Sequence, residues 1–191
     1  MQAAEDEIKA TGRCLPPRLH VVVDGLDLPY VGFLTCRPFY RGDDAIAAVG
    51  MMGVLGSMLG ASRLVLTWEH QDMSAALHLP DAPAGQVVLD AHRHGGHVLR
   101  WHPVWIEPAT AAAASGVAPV WGPVDTVSDA ALPPFAGACL ATWRQPAEWT
   151  GPRLVARLAG LERAGYVMRW VTRPDGEQHQ PWWMPLLRPI M

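Results

Sequence analysis

The sequence predicts an α+β protein in which a mixed or antiparallel sheet, built from hairpins, packs on a buried apolar helix, with a C-terminal helix-plus-hairpin unit. Half of the 191 residues are hydrophobic and 17% are charged, so the chain has enough apolar surface to offset the entropy lost on folding. Turn residues separate short segments rich in β-branched and aromatic residues, which is typical of strands. These segments are residues 19–23, 30–36, 63–68, 86–91, 98–104 and 166–172.

A helix is predicted over residues 43–59. Asp43 and Asp44 can cap its N-terminus, since a carboxylate there accepts free backbone N–H groups and faces the positive end of the helix dipole. The helix is apolar nearly all round, which is typical of a helix buried against a sheet. Its uncharged run, residues 45–61, also reaches the lower length limit of a membrane span. Because four glycines interrupt this run, we expect packing glycines and no membrane.

Three polar residues directly follow the predicted strand 63–68: Glu69, His70 and Asp72. Ligand sites of open α/β sheets gather at the carboxyl ends of strands, and a buried glutamate beside a histidine can act as a general acid or base. These three residues are therefore the candidate catalytic groups. The alternative is structural: Asp72 caps a short helix over residues 73–79, and Glu69 is solvated.

A histidine-rich hairpin is predicted from strands 86–91 and 98–104, with its turn at Gly95 and Gly96. With that turn, the alternation of side chains puts three imidazoles and one carboxylate on one face. Nitrogen and oxygen ligands of this kind suit zinc. The candidate metal ligands are Asp90, His92, His94 and His97. A one-residue change of register would separate them, and the alternative is a set of solvated histidines at an exposed tip.

The chain is predicted to divide into four stretches. Residues 1–12 are acidic and are expected to form a disordered tail. Residues 13–107 form the α+β core domain. Residues 108–132, which contain four consecutive alanines and several prolines, form a connector. Residues 133–191 form the helix-hairpin unit, which can belong to the same domain.

Within this unit, Leu154, Leu158 and Leu161 mark one apolar face of a predicted helix. The helix and the following hairpin resemble the last helix and the wing of a winged helix-turn-helix domain, which implies nucleic-acid binding. The charge suits this interpretation, because residues 151–191 hold six arginines and three carboxylates. The candidate nucleic-acid contacts are Arg153, Arg157, Arg169 and Arg173. The alternative is a helix and hairpin that complete the main core.

The last feature of the sequence is an apolar tail. Eight of the nine tryptophans lie beyond residue 100, and two of them are adjacent in a proline-flanked segment. If exposed, such a segment is a docking patch for a protein partner or a second copy of the chain. If buried, it is a strap across the core. The candidate partner-binding residues are Trp182, Trp183, Met184, Leu186 and Leu187.

Composition and motifs favour a non-catalytic binding or accessory protein that acts through protein or small-ligand contacts. The net charge of −3 does not favour an overall electrostatic attraction to nucleic acid or membrane. Three widely spaced cysteines, and an N-terminus without a basic and then apolar run, indicate a soluble cytoplasmic protein with reduced thiols. No cofactor is expected. A nucleic-acid-binding regulator is the first alternative, and a hydrolase that combines Glu69 with zinc on the histidine cluster is the second.

Overall fold

A computed structural model describes residues 2–109, 115–145 and 151–171. These ranges form five helices and eight strands, and the α+β prediction is confirmed. The helices are α1 (Gln2–Thr11), α2 (Asp43–Met58), α3 (His70–Ala76), α4 (Pro134–Arg144) and α5 (Gly151–Arg163). The strands are β1 (Arg18–Val22), β2 (Tyr30–Thr35), β3 (Arg63–Glu69), β4 (Gly85–His92), β5 (His97–Pro108), β6 (Val117–Trp121), β7 (Asp125–Ser128) and β8 (Val167–Trp170).

The described strands form one antiparallel sheet in the order β6-β5-β4-β3-β1-β2-β8, and β7 also pairs with β5. Hairpins join β1 to β2 and β4 to β5, and a connection that contains α3 joins β3 to its antiparallel neighbour β4. The register places Leu66 of β3 between Leu19 of β1 and Leu89 of β4. All three side chains are fully buried, because alternate residues of the central strands face the helices. The core of the protein therefore lies on one face of the sheet.

Helix α2 lies in the middle of this core. Its side chains Met52 and Leu55 are fully buried together with Phe135 and Trp143 of α4. The Trp143 indole Nε1 donates a hydrogen bond to the carbonyl oxygen of Ala61, at 3.1 Å, so the only polar atom of this side chain is satisfied. Helix α2 has 16 residues, and no helix in the described ranges is both long and apolar enough to cross a membrane.

The glycines of α2 allow α4 to approach its backbone closely. A Cβ atom on Gly53 would lie 2.1 Å from the carbonyl oxygen of Cys139 and 3.0 Å from the backbone nitrogen of Trp143. One on Gly56 would lie 2.9 Å from the Trp143 ring. These contacts explain why a helix carries glycine despite its low helix propensity. The prediction that the glycines serve packing is confirmed at these two positions.

Replacing Gly53 with alanine is expected to lower the free energy of unfolding by about 2–3 kcal/mol, because the new methyl group meets backbone atoms that cannot move independently. Gly137 on α4 provides the control, since a Cβ there has no neighbour within 4 Å. Gly137→Ala should be neutral or stabilise the protein by up to about 1 kcal/mol. Urea denaturation of both variants measures the difference, and similar effects at the two positions would contradict the close helix contact.

The N-terminal segment is a helix where the sequence predicts a disordered tail. Helix α1 buries Ala4 and Ile8, which lie one turn apart on the same face. The Ser115 hydroxyl donates to the carbonyl oxygens of Ile8 and Lys9, at 3.0 and 2.8 Å, and satisfies the end of the helix. The contacts that stabilise α1 come from more than 100 residues away, so the local sequence pattern does not contain them.

The predicted connector also contains regular structure. Residues 117–121 and 125–128 form β6 and β7, which pair with different parts of the long strand β5. Asp129 follows β7 with a positive φ of 50°, and its Oδ1 accepts the backbone N–H of His97 at 2.9 Å. Proline and alanine obscure the alternation in this region, and the strands depend on pairing with β5 and not on local propensity.

The described part of the C-terminal unit packs on the main core. Leu154, Leu158 and Leu161 of α5 are buried in the same cluster as α2 and the sheet. The Tyr166 hydroxyl donates to the carbonyl oxygen of Ala48 in α2, at 2.7 Å. Strand β8 pairs with β2 at the sheet edge. Helix α5 and β8 thus complete the main core and sheet, as the alternative to the winged-helix interpretation predicted. The second strand of the predicted hairpin lies outside the described residues.

Candidate functional site

A cleft with a volume of about 420 Å³ lies at one end of the central strands. Arg18 pairs with both Thr35 and Thr67, so the start of β1 and the ends of β2 and β3 meet at this end of the sheet. Three segments that adjoin these strand ends form the walls. The lining residues are Cys14, Leu15, Pro16, Pro17, Cys36, Arg37, Pro38, Phe39, Glu69, Asp72 and Met73. Antiparallel pairing thereby brings together parts of the chain that are about 55 residues apart.

Glu69 is the buried carboxylate of this cleft, with 4% of its surface exposed. It is the N-cap residue of α3: its Oε2 accepts the backbone N–H of Asp72 at 2.5 Å. Its Oε1 accepts the N–H of Gly85, the first residue of β4, at 2.9 Å. Glu69 therefore connects β3, α3 and β4. The structural alternative named Asp72 as the cap and Glu69 as solvated, and this assignment is wrong, because α3 begins at His70 and not at residue 73.

The two carboxylates give the cleft a negative potential that acts on a neighbouring thiol. Burial, and then the charges of Glu69 and Asp72, raise the pKa of the Cys14 thiol to about 11. Burial also raises the pKa of the Cys36 thiol to about 12. A nucleophilic cysteine requires the opposite shift, since the thiolate is the reactive form. Both thiols are therefore neutral wall groups at pH 7.

The cation of the cleft, Arg37, is already paired. Its guanidinium donates to both carboxylate oxygens of Asp44 and, at 2.7 Å, to the carbonyl oxygen of Pro38. Asp44 also accepts the backbone N–H of Tyr40 at 2.7 Å. The hydrogen bonds from Arg37 and Tyr40 lower the pKa of Asp44 to about 2. Because Asp44 balances the charge of Arg37, Glu69 and Asp72 determine the sign of the potential in the cleft.

His70, the third candidate catalytic residue, lines a different site. It borders an apolar groove of about 260 Å³ on the helix-bearing face of the sheet, together with Trp68, Val87 and Trp101. The consecutive residues Glu69 and His70 therefore line two separate concave surfaces. The structure brings Glu69 and Asp72 together at the cleft and does not place His70 there.

The predicted register of the histidine hairpin is wrong. His97 pairs with Ala91, so the side chain of His97 lies on the opposite face from Asp90 and His92. The observed register differs from the predicted one by three residues, because the connection spans residues 93–96 and not only the two glycines. A register shift by an odd number of residues moves the side chains of one strand to the opposite face of the sheet relative to those of its partner. The structure thus separates the residues proposed to share one metal.

The candidate metal ligands have other partners or are exposed. Asp90 accepts two hydrogen bonds from Arg63, at 2.7 and 2.6 Å, which hold the pKa of that carboxyl below its ordinary value. His97 contacts the carbonyl oxygen of Ala130 at 2.9 Å. His92 and His94 are exposed. Within the described ranges, no three His, Cys, Asp or Glu side chains are grouped so that they could hold a metal ion.

The three described candidate nucleic-acid contacts do not share one surface. Arg153 and Arg157 are exposed on α5, and Arg157 donates to the Met51 sulfur at 3.2 Å. Arg169 of β8 is paired with Phe33, whereas its neighbour Met168 packs on the core to which α5 belongs. Since successive strand residues face opposite sides, Arg169 lies on the sheet face away from α5. Arg173 and the tail residues Trp182, Trp183, Met184, Leu186 and Leu187 lie outside the described residues.

No protein-family model, curated protein or solved structure matches this chain. We therefore infer the function from the fold and from the chemistry of the cleft. Apart from Glu69 and Asp72, the lining residues of the cleft were not predicted. Cys14 and Cys36 stand just before one predicted strand and at the end of the next. The predicted hairpin between these two strands is the one sequence signal that indicates that Cys14 and Cys36 lie near each other.

The raised pKa of Cys14 predicts slow alkylation at neutral pH. The rate of modification by iodoacetamide, followed by mass spectrometry of the Cys14 peptide, should rise about tenfold per pH unit until pH approaches 11. Asp72→Asn removes one negative charge, lowers the thiol pKa and should accelerate the reaction. Asp81→Asn, at an exposed carboxylate outside the cleft, is the control and should leave the rate unchanged. A rate that levels off near pH 8–9 would contradict the buried, negatively charged environment.

Proposed function

We propose that this chain is a non-catalytic binding protein whose cleft holds a small organic ligand with an apolar body and a cationic nitrogen. The observation that carries this proposal is the cleft of about 420 Å³ with Glu69 and Asp72 on one wall. Small-molecule sites usually have volumes of about 300–1,000 Å³, apolar walls and a few convergent polar groups. The cleft meets each of these criteria.

The apolar part of the ligand would contact Leu15, Phe39 and Met73, with the neighbouring proline rings as further apolar walls. These side chains belong to three different segments, so a bound molecule would touch all of them. Burying apolar area contributes about 25 cal/mol per Å². This contribution supplies affinity but no preference for charge.

The preference for a cation follows from the two carboxylates. Asp72 is exposed, and each oxygen of Glu69 accepts one backbone N–H, which leaves a lone pair for a further donor. In the described ranges, neither carboxylate has a cationic side chain within 4 Å. An ammonium group would therefore meet uncompensated negative charge. The neutral thiols of Cys14 and Cys36 add weak donors and no thiolate chemistry.

We also propose that the protein resides in a reducing compartment such as the cytoplasm. The three free cysteines, Cys14, Cys36 and Cys139, support this location.

A protein partner or a second copy of the chain is a further candidate for binding. Trp105 and Val120 form an exposed cross-strand pair of β5 and β6, and such apolar surface is typical of a contact with another protein.

A matched pair of probes tests the preference for a cation. Phenethylamine carries an ammonium group, and 2-phenylethanol has a similar shape without charge. Isothermal titration of the 191-residue chain should show binding of the amine. Asp72→Asn should weaken this binding about tenfold, since a hydrogen bond to a charged group contributes about 1.5–3 kcal/mol. Binding of the alcohol should be weaker and should not change in this variant. Asp81→Asn is the control for a general effect of charge.

A second variant tests the location of the site. Cys14 is half-buried at the cleft, so Cys14→Trp should place an indole in the cavity and remove binding of both probes, while circular dichroism shows an intact fold. Amine binding that is equal in the wild type, Asp72→Asn and Cys14→Trp would rule out this cleft as the site.

A further inference from the structure

The apolar groove beside His70 is a second concave surface, separate from the cleft. The register aligns Trp68, Val87 and Trp101 in one row across β3, β4 and β5. Leu99 pairs with Val127 of β7 two residues further along. The alanines and the proline that precede α4 form the opposite wall. The groove therefore lies where the core face of the sheet extends beyond the helices.

The groove leaves apolar surface and one polar atom without a partner in the described part of the chain. Val127 is 53% exposed on this surface. The indole Nε1 of Trp101 is buried and has no acceptor among the described residues. Gly85 makes room for this indole, because a Cβ there would lie 2.3 Å from Nε1. This nitrogen is covered by the protein itself, so an occupant of the groove would contact the apolar ring of Trp101 and not this atom.

We propose that the chain's own C-terminal segment, residues 181–187, occupies this groove. The segment reads Pro-Trp-Trp-Met-Pro-Leu-Leu and carries no charge, which matches the apolar walls. Arg188 follows directly, and Asp125 stands at the rim of the groove as a complementary charge. Docking of the tail in the groove would bury both apolar surfaces within one chain.

The length of the connecting chain permits this placement. The last described residue, Val171, donates its N–H to the carbonyl oxygen of Val31 at 3.0 Å, at the edge of the sheet. Five strand spacings separate β8 from β5, about 24 Å, and the row of Trp101 lies four residues along the strands from that of Trp170. The diagonal is about 27 Å. Ten steps along the chain from Val171 to Pro181 span up to about 33–36 Å, which exceeds this diagonal by about 6–9 Å.

Connection within one chain also favours this occupant over a separate molecule. A segment on a short linker has an effective concentration of about millimolar, far above that of a free partner. Occupation by a second copy of the chain and occupation by a different protein are distinct outcomes of the experiment below.

Photo-crosslinking in the 191-residue chain tests the proposal. Leu186 is replaced with p-benzoylphenylalanine, an equimolar mixture of ¹⁵N-labelled and unlabelled protein is irradiated, and crosslinked peptides are identified by mass spectrometry. The expected product joins position 186 to residues 98–101 or 125–131 with both peptides in the same isotopic form. Val127→Glu in this background should lower the yield about tenfold, because a charge would have to be buried under the tail. Val155→Glu, on α5 and equally 53% exposed, should not change it.

Two results would overturn the proposal. Crosslinks of mixed isotopic form would show that the tail occupies the groove of another copy, and crosslinks to any other surface would show that the groove is not its site. If Val127→Glu does not fold, Trp182→Ala/Trp183→Ala replaces it, with hydrogen exchange of β5 and β7 as the readout. Faster exchange in these strands than in the wild type supports the proposal, and unchanged exchange contradicts it.

Discussion

The backbone contact between α2 and α4 at Gly53 is the constraint on which the rest of the structure depends. It holds α4 against α2 while α2 covers the central strands, and it allows no side chain larger than hydrogen at the crossing. Two further contacts attach other parts of the fold to α2. Asp44 in its first turn binds Arg37 beside the cleft, and the carbonyl oxygen of Ala48 accepts the Tyr166 hydroxyl that follows α5. A shift of α2 would therefore disturb the cleft and the C-terminal unit together.

The cleft follows from the sheet topology that α2 stabilises. Antiparallel pairing brings the start of β1 and the ends of β2 and β3 to the same end of the sheet. The chain segments that leave the strands there form apolar walls around Glu69. A carboxylate is buried there only because two backbone N–H groups bind its oxygens. The same charge that caps α3 also raises the pKa of Cys14. A structural interaction thereby sets the chemistry of the proposed binding site.

The sequence predicted the features that depend on local pattern. Alternation marked β3, and the uncharged glycine-containing run marked a buried α2. The predicted capping by Asp43 and Asp44 is wrong: both lie in the first turn, but Gly42 is the N-cap residue and no side chain caps the helix. Features that depend on distant pairing were not predicted. Helix α1 needs Ser115, β7 needs β5, and the hairpin register depends on how residues 93–96 turn. For the same reason, the cleft was predicted only at Glu69 and Asp72, which follow a strand in sequence, and not at the segments brought there by pairing.

The first turn of α3 separates the cleft from the groove. His70 lines the groove, Asp72 lines the cleft, and Glu69 fixes this turn by accepting N–H groups from Asp72 and Gly85. The hydrogen bond from Gly85 anchors the turn to β4 at the residue that makes room for the Trp101 indole. One carboxylate thus positions a wall of each surface. Since α3 has only seven residues, too few for a helix to be stable by propensity alone, its geometry depends on this cap and on the burial of Met73 and Ala76. Both surfaces therefore depend on Glu69 even though a bound molecule would reach it only from the cleft.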